Sequence, residues 1–193
     1  MELIIVMAIM GIMAGAGFVS LQSSKSDSRL KSAQREVSAA IKLAQSYALQ
    51  GKTHSLGGVD TTPCGYGFRF DSTDAQKQTY EIFYNLLDKT QYASCDIQNG
   101  NAANLHFISW GNPPSGHAGT FTLNNNVDLQ SPAISPAPNQ TEIYFTIPFR
   151  NMYKEDGGKM VSDKTFTFEY PAGSATAATK AITISPSGNI TEN

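Results

Sequence analysis

The sequence predicts an α+β fold in which one long N-terminal helix packs on an antiparallel β-sheet head domain. Three observations support this. Residues 1–21 are almost wholly apolar, residues 22–51 place apolar side chains at helical spacing, and residues 52–193 contain short alternating runs. We therefore divide the chain into a transmembrane helix over 1–21, an amphipathic helical stem over 22–51 and a β-rich head domain over 52–193.

The first segment, from Leu3 to Leu21, contains no charged side chain, and Ser20 is its one polar residue. A helix of this length spans about 28 Å, close to the thickness of a bilayer's hydrocarbon core. We expect it to lie in lipid. A cleaved secretory signal is the alternative, but such a signal begins with a basic residue and has a shorter apolar region, whereas this chain has Glu2 at its start.

Two features of this segment bear on contacts with other helices. Gly11 and Gly15 form a small-xxx-small pattern, which permits close helix packing. Glu2 is a carboxylate at the edge of an apolar helix, where an unpaired charge is costly. It either lies in the headgroup region, favoured by the helix dipole, or pairs with a cation of a neighbouring subunit.

The stem follows without a glycine or proline until Gly51, which is typical of a helix C-terminus. The spacing therefore predicts one helix from about Glu2 to Gln50, apolar all round in its first half and amphipathic in its second. Its predicted buried stripe recurs at steps of three and four residues: Leu30, Ala33, Val37, Ala40, Ile41, Ala44, Tyr47 and Ala48.

The head domain contains short runs that alternate aromatic or branched residues with polar ones, as half-buried antiparallel strands do. Clusters of Gly and Pro separate these runs. The predicted strands are Tyr66–Phe70, Thr79–Tyr84, Leu105–Ser109, Thr120–Leu123, Glu142–Ile147, Thr165–Tyr170 and Ala181–Ile184. One face of this sheet would cover the apolar stripe of the stem.

The two cysteines, Cys64 and Cys95, favour a disulfide over two buried free thiols. Such a bond would stabilise the fold by roughly 3–4 kcal/mol and would place the head outside the cytoplasm. The cations that follow the apolar segment, Lys25, Arg29, Lys31 and Arg35, conflict with this, because positive flanks usually stay in the cytoplasm. A basic leader preceding Met1 would remove the conflict.

Composition and motifs argue against several classes of function. The net charge is -2 and charged residues make up 16%, which disfavours a nucleic-acid binder that acts through bulk charge. The histidines share no metal-ligand spacing, and no Gly-x-Ser-x-Gly motif occurs. Acidic loop residues such as Asp71, Asp74 and Asp88 are better explained as turn residues than as calcium ligands. We expect no catalytic residue, cofactor or metal.

The segment Glu2-Leu-Ile-Ile-Val-Met-Ala-Ile-Met-Gly-Ile12, joined to a half-buried helix and a C-terminal sheet, resembles the N-terminal signature of type IV pilins and pseudopilins. The stretch from Ala33 to Ala48 is similar to the stem of FimT/GspH-like minor pseudopilins. The family's leader, its peptidase-site glycine and its first three mature residues are missing here. The resemblance therefore implies a type IV pilin-like fold without identifying a cleavage site.

The resemblance further implies a structural subunit of a type IV pilus or type II secretion-like filament, and not an enzyme. In that family, subunits wait in the cytoplasmic membrane with the head outside, and their partners are membrane lipid, an inner-membrane assembly platform and a prepilin peptidase. Assembly then bundles the N-terminal helices of copies of itself or other pilins. The family's glutamate, which corresponds to Glu2, pairs with the methylated N-terminal ammonium of a neighbour.

Two alternatives stay open. A minor or tip subunit could bind DNA or a surface through a mixed aromatic and basic patch, formed by Arg150, Tyr153, Lys154, Lys159 and Lys164. Acidic residues interrupt this patch, which favours a solvated hairpin instead. The chain could also be a single-pass membrane-anchored domain that never polymerises.

Overall fold

A computed structural model describes residues 2–56, 59–70, 78–85, 116–123, 127–131, 142–147, 152–154, 159–171 and 177–193. Helix α1 runs from Glu2 to Gln50, and within it the side chains of residues 5–15, 17, 21 and 24–50 are described. Gly51 ends the helix with a φ of 58°, a left-handed conformation that glycine adopts without steric cost. The Gly51 N–H bonds the Ala48 carbonyl at 3.4 Å and the Lys52 N–H bonds the Tyr47 carbonyl at 3.2 Å.

The described part of the chain contains eleven strands, all paired in antiparallel fashion. They are β1 His54–Leu56, β2 Val59–Thr61, β3 Gly65–Phe70, β4 Thr79–Asn85, β5 Gly116–Thr122, β6 Asp128–Ser131, β7 Glu142–Thr146, β8 Met152–Lys154, β9 Lys164–Tyr170, β10 Ala178–Ile184 and β11 Ile190–Glu192. Strands β1 and β2 form a ribbon, β5-β4-β3-β7-β8 form a five-stranded sheet, and β11-β10-β9-β6 form a four-stranded sheet.

The main core lies between the second half of α1 and both larger sheets. Helix α1 contacts β3, β4 and β7 of the five-stranded sheet and β9, β10 and β11 of the four-stranded sheet. Its buried apolar residues are Leu30, Ala33, Val37, Ala40, Ile41, Ala44 and Ala48, which cluster with aromatic and branched side chains of the strands. Small alanines alternate with larger residues along this stripe, so the helix can approach the sheets closely.

Polar contacts connect α1 to the rest of the described fold at the margin of this core. The Arg29 guanidinium donates to the Tyr170 hydroxyl at 2.9 Å, and its carbon lies 5.1 Å from the centre of that ring. Gln34 bonds two main-chain carbonyls near the C-terminus of the sequence. The Tyr80 hydroxyl donates to Glu36 at 2.9 Å, and burial, followed by this hydrogen bond, raises the pKa of Tyr80.

The five-stranded sheet is buried on its other face as well. There Arg69 and Glu81 sit directly opposite each other on β3 and β4 and form an ion pair, with both side chains almost fully inaccessible. The Phe83 ring stacks on Tyr144 with centroids 6.2 Å apart and also lies under the Arg69 guanidinium. Every residue of β3 is buried, so this strand is not half-buried as its alternation predicted.

The fold class predicted from the sequence requires correction, although the predicted single helix from Glu2 to Gln50 agrees with α1. It placed a half-transmembrane helix against one antiparallel sheet in a type IV pilin-like fold, whereas the strands form two larger sheets and a ribbon. Alternation indicates which face of a strand is apolar but does not specify which strands pair, which is why the division into two sheets was missed.

A second finding contradicts the transmembrane part of that prediction. Among the described residues, no helical stretch combines the length and the apolar character required to cross a membrane.

The predicted strand positions agree with the described strands to within a few residues for β3, β4, β5, β7, β9 and β10. The predicted strand Leu105–Ser109 lies outside the described residues. Strands β1, β2, β6, β8 and β11 were not predicted, because each is only three or four residues long and shows no full period of alternation.

Candidate assembly interface

The most unusual surface of the molecule is the exposed apolar part of α1, which we call the apolar segment and define as residues 5–15, Gly17 and Leu21. Its large side chains are all exposed, from 50% for Val6 to 74% for Ile12. It carries no charge and no polar side chain. Contiguous apolar surface of this kind on a protein usually marks contact with another molecule.

The apolar segment differs sharply from the rest of the same helix. Burial by the chain's own strands begins at Leu30, which is only 1% exposed, and continues to Ala48. Within the described part of the chain, no strand contacts the apolar segment closely enough to bury it. The helix therefore presents the head at one end and an uncovered apolar surface at the other.

Gly11 and Gly15 lie in the apolar segment one helical turn apart. Among the described residues, no atom lies within 4 Å of a Cβ atom built at either position. The packing of the described residues therefore does not require glycine at these two positions. Glycine at these positions leaves the helix backbone exposed, which allows another helix to approach closely.

Glu2 is the first residue of α1, and its side chain lies outside the described part of the structure. The N-terminal turn of a helix has unsatisfied N–H groups and a partial positive charge, so an acid at this position is electrostatically favoured. Its predicted role in assembly stays a prediction.

A polar boundary separates the apolar segment from the packed stem. The Lys31 ammonium lies 2.7 Å from the Asp27 carboxylate, one turn earlier on the helix. This hydrogen bond from Lys31 lowers the pKa of Asp27, and the charge of the more distant Lys180 adds to the effect. Arg29 is turned toward the head and Tyr170, so the cations of this region do not share one direction.

Two further cations, Arg35 and Lys42, lie on the exposed side of the stem. Arg35 was predicted only as part of the run of cations that follows the apolar segment, and no role was predicted for Lys42. The helical spacing of Lys31, Arg35 and Lys42 was the signal that could have grouped them, since steps of four and seven residues return to the same face.

Cys64 is disulfide-bonded and buried just before β3. Its carbonyl accepts a hydrogen bond of 2.9 Å from the Ile147 N–H at the end of β7. The other cysteine of the sequence, Cys95, lies outside the described residues, so the pairing of Cys64 with Cys95 stays a prediction.

The residues of the predicted DNA or surface patch fall on different parts of the fold. Tyr153 and Lys154 belong to β8, the edge strand of the five-stranded sheet. Lys159 is exposed and lies beside β8, where the Met160 N–H bonds the Met152 carbonyl at 2.8 Å. Lys164 begins β9 in the four-stranded sheet, with its ammonium 5.9 Å from the centre of the Phe166 ring. Arg150 lies outside the described residues. The described residues thus do not form one continuous cationic surface on a single sheet.

The described residues contain no group of three or more His, Cys, Asp or Glu side chains that could hold a metal ion. No protein-family model matches the chain, and neither a curated protein nor a solved structure shows significant similarity to it.

Proposed function

We propose that this chain is a structural subunit of a filament of the type IV pilus or type II secretion kind, in which the apolar segments of many copies pack together. One observation carries the proposal: a helix that is embedded in the head over its second half leaves its first half apolar and uncovered. A subunit of a helical filament needs both parts, one to build the head and one to bury against its neighbours.

The energetics favour such packing. The eight large exposed side chains of the apolar segment are Ile5, Val6, Met7, Ile9, Met10, Ile12, Met13 and Leu21. Burying them between copies would stabilise the assembly by on the order of 10 kcal/mol per copy, before the cost of association. Gly11 and Gly15 would let neighbouring helices approach closely within that bundle.

The proposal includes a location. Before assembly the apolar segment would associate with the cytoplasmic membrane, and the head would lie outside the cytoplasm. The disulfide of Cys64 supports this orientation, since disulfides persist in oxidising compartments. An inner-membrane assembly platform and a prepilin peptidase are the partners implied by the resemblance of the N-terminal sequence to pilins.

The proposal also assigns a role to Glu2 during assembly. In a bundle of apolar helices, a carboxylate without a partner is costly, so Glu2 would pair with a cation of the adjacent copy. We expect Glu2→Ala to leave the protein in the membrane fraction while preventing its entry into filaments. Wild-type amounts of filament from this variant would contradict the role.

The main test compares two substitutions of exposed apolar residues by Asp in cells that express the full chain. Ile12→Asp places a charge in the apolar segment, whereas Val161→Asp places the same charge on the head, where Val161 is 81% exposed. We expect Ile12→Asp to reduce sheared filaments by at least about tenfold, because a charge inside an apolar bundle is costly. Val161→Asp should leave the yield unchanged.

Two results would contradict the proposal. One is equal filament yield from Ile12→Asp and wild type at equal cellular protein levels. The other is the complete absence of wild-type filaments, with all the protein membrane-associated as single copies, which would favour a non-polymerising membrane-anchored domain.

A further inference from the structure

The exposed side of the stem carries a line of cations, which we define as Lys31, Arg35 and Lys42. These residues are separated by four and seven positions, so they fall within about 40° of one another around the helix axis. All three are exposed. The line lies on the side of α1 that turns away from the strands, opposite the buried stripe.

The members of this line differ in their partners. Lys31 pairs with Asp27 at 2.7 Å, which neutralises its charge locally. Among the residues that the structure describes, the side chains of Arg35 and Lys42 form no ion pair and no hydrogen bond. They are about 10 Å apart along the helix axis, so a second molecule could contact both at once.

The charge of the chain is unevenly divided between stem and head. Residues 22–50 contain five basic and two acidic residues, a net charge of +3, whereas residues 51–193 contain nine basic and thirteen acidic residues, a net charge of -4. The near-neutral total therefore conceals a cationic stem and an acidic head. Such a distribution favours contact between the stem of one copy and the head of another.

The head presents a matching pair of acids on the four-stranded sheet. Asp128 of β6 and Glu169 of β9 are directly opposite each other in the register. Both are partly exposed, and they lie on the face away from α1, because the residues next to them in sequence, Leu129 and Phe168, are buried in the core. Asp128 also accepts a hydrogen bond of 2.8 Å from the Gln78 side chain. The two carboxylates place negative charge on one surface of the head, which attracts a cation of another molecule.

We propose that Arg35 and Lys42 of one copy dock on the Asp128 and Glu169 pair of a neighbouring copy in the filament. This inference rests on the proposed function and identifies the second, polar contact between subunits. The two surfaces lie on opposite sides of the layer formed by α1 and the four-stranded sheet, so they cannot meet within one copy.

The geometry of this contact suits a filament. Because the cation line and the acidic pair are different surfaces, the interface is heterologous, and such interfaces generate open helical assemblies when the rotation does not close. A nucleic acid could also bind a line of cations. The acidic pair on the opposite side of the same layer favours a second copy of this chain instead, because only a copy supplies both surfaces.

The first test is charge reversal with compensation in cells that express the full chain. Arg35→Glu with Lys42→Glu should reduce sheared filaments by about tenfold, since two attractions become repulsions. Adding Asp128→Lys and Glu169→Lys to the same chain should restore the yield. The control is Lys159→Glu, which reverses an exposed cation of the head and should have no effect.

The second test detects the contact directly. Carbodiimide treatment of wild-type filaments condenses an amine with a carboxylate in contact, with loss of water, so Lys42 should become linked to Asp128 or Glu169 of another copy. Mass spectrometry of mixed filaments, grown from isotope-labelled and unlabelled chains, would identify the inter-copy bond. Filaments grown from Lys42→Arg should lack the linkage.

The outcomes separate the two proposals. A filament yield of the reversed variant equal to that of wild type would overturn this inference and leave the proposed function standing. Wild-type filaments that lack the Lys42 linkage would have the same consequence. A reversed variant that assembles normally but loses retention on double-stranded DNA would assign the cation line to nucleic acid and also overturn it. If wild-type chains form no filament, both proposals are wrong.

Discussion

The side chain of Gln34 on α1 donates a hydrogen bond of 2.6 Å to the main-chain carbonyl of Ala181 on β10. The same amide nitrogen lies 3.1 Å from the carbonyl of Asn193, which in turn pairs with Ala181 through two main-chain hydrogen bonds. Gln34 is only 4% exposed. One side chain therefore connects the stem to the last residues of the four-stranded sheet.

We expect Gln34→Leu to destabilise the protein by about 1–3 kcal/mol, because two carbonyls lose a buried donor. Denaturant unfolding of the detergent-solubilised full chain measures this. Gln50→Leu is the matched control, since Gln50 is exposed and bonds only the Ser46 hydroxyl one turn earlier among the described residues. Equal stability of the Gln34 variant and wild type would show that the contact does not hold the stem to the sheet.

Removal of one member of the buried Arg69–Glu81 pair should be more damaging. Glu81→Ala leaves a guanidinium in a site where both side chains are almost fully inaccessible, and the expected cost is about 3–5 kcal/mol. The exposed pair provides the comparison: Lys31→Ala should cost less than about 1 kcal/mol. Similar effects from both substitutions would contradict this assignment of buried and exposed pairs.

Gly67 has no room for a side chain. A Cβ atom at this position would overlap the ring of Phe83, which stacks on Tyr144 beside it. Gly67→Ala should therefore destabilise the fold by about 1–3 kcal/mol, and combination with Phe83→Leu should recover part of the loss. Gly15→Ala, in the open apolar segment, meets no described atom and should not lower the free energy of unfolding. If the added Phe83→Leu worsens the loss, steric overlap is the wrong explanation.

The buried tyrosines predict a loss of stability in alkali. Burial raises the pKa of Tyr66, Tyr80 and Tyr144 above that of an unfolded tyrosine, about 10. Because the folded pKa is raised, the contribution of these tyrosines to the free energy of unfolding is fully present below pH about 10. This contribution is lost as the pH rises further. Phenolate absorbance together with denaturant unfolding at stepped pH measures this. Tyr80→Phe should flatten the decline, and an unchanged slope would rule out a contribution from Tyr80.

How far the sequence could predict this fold is clear from particular strands. Thr165–Tyr170 and Glu142–Ile147 alternate strongly, and the structure has β9 and β7 at almost the same bounds. The alternation of apolar and polar residues does not show which strands pair with each other. Strand β9 pairs with β6 and strand β10 pairs with β11. Both β6 and β11 are too short to show a period, so the division into two sheets had no local signal.

The periodicity of the sequence also could not predict which polar side chains are buried. Gln34 lies within the buried arc of α1 but is polar, and Arg69 alternates with aromatic residues as a solvent-facing residue would. Both are buried because a second surface covers them, which is a property of the tertiary arrangement. The apolar segment, by contrast, was apparent from composition alone, while the cation line needed the helix to be oriented on the sheets.

The most direct test of the central claim is an electron cryomicroscopy map of filaments sheared from cells that express the full chain. The account predicts a core of α1 helices in which residues 5–21 of adjacent copies pack at interaxial distances of about 8–10 Å, surrounded by the heads. A filament built only from head contacts, with these residues outside its core, would contradict the account.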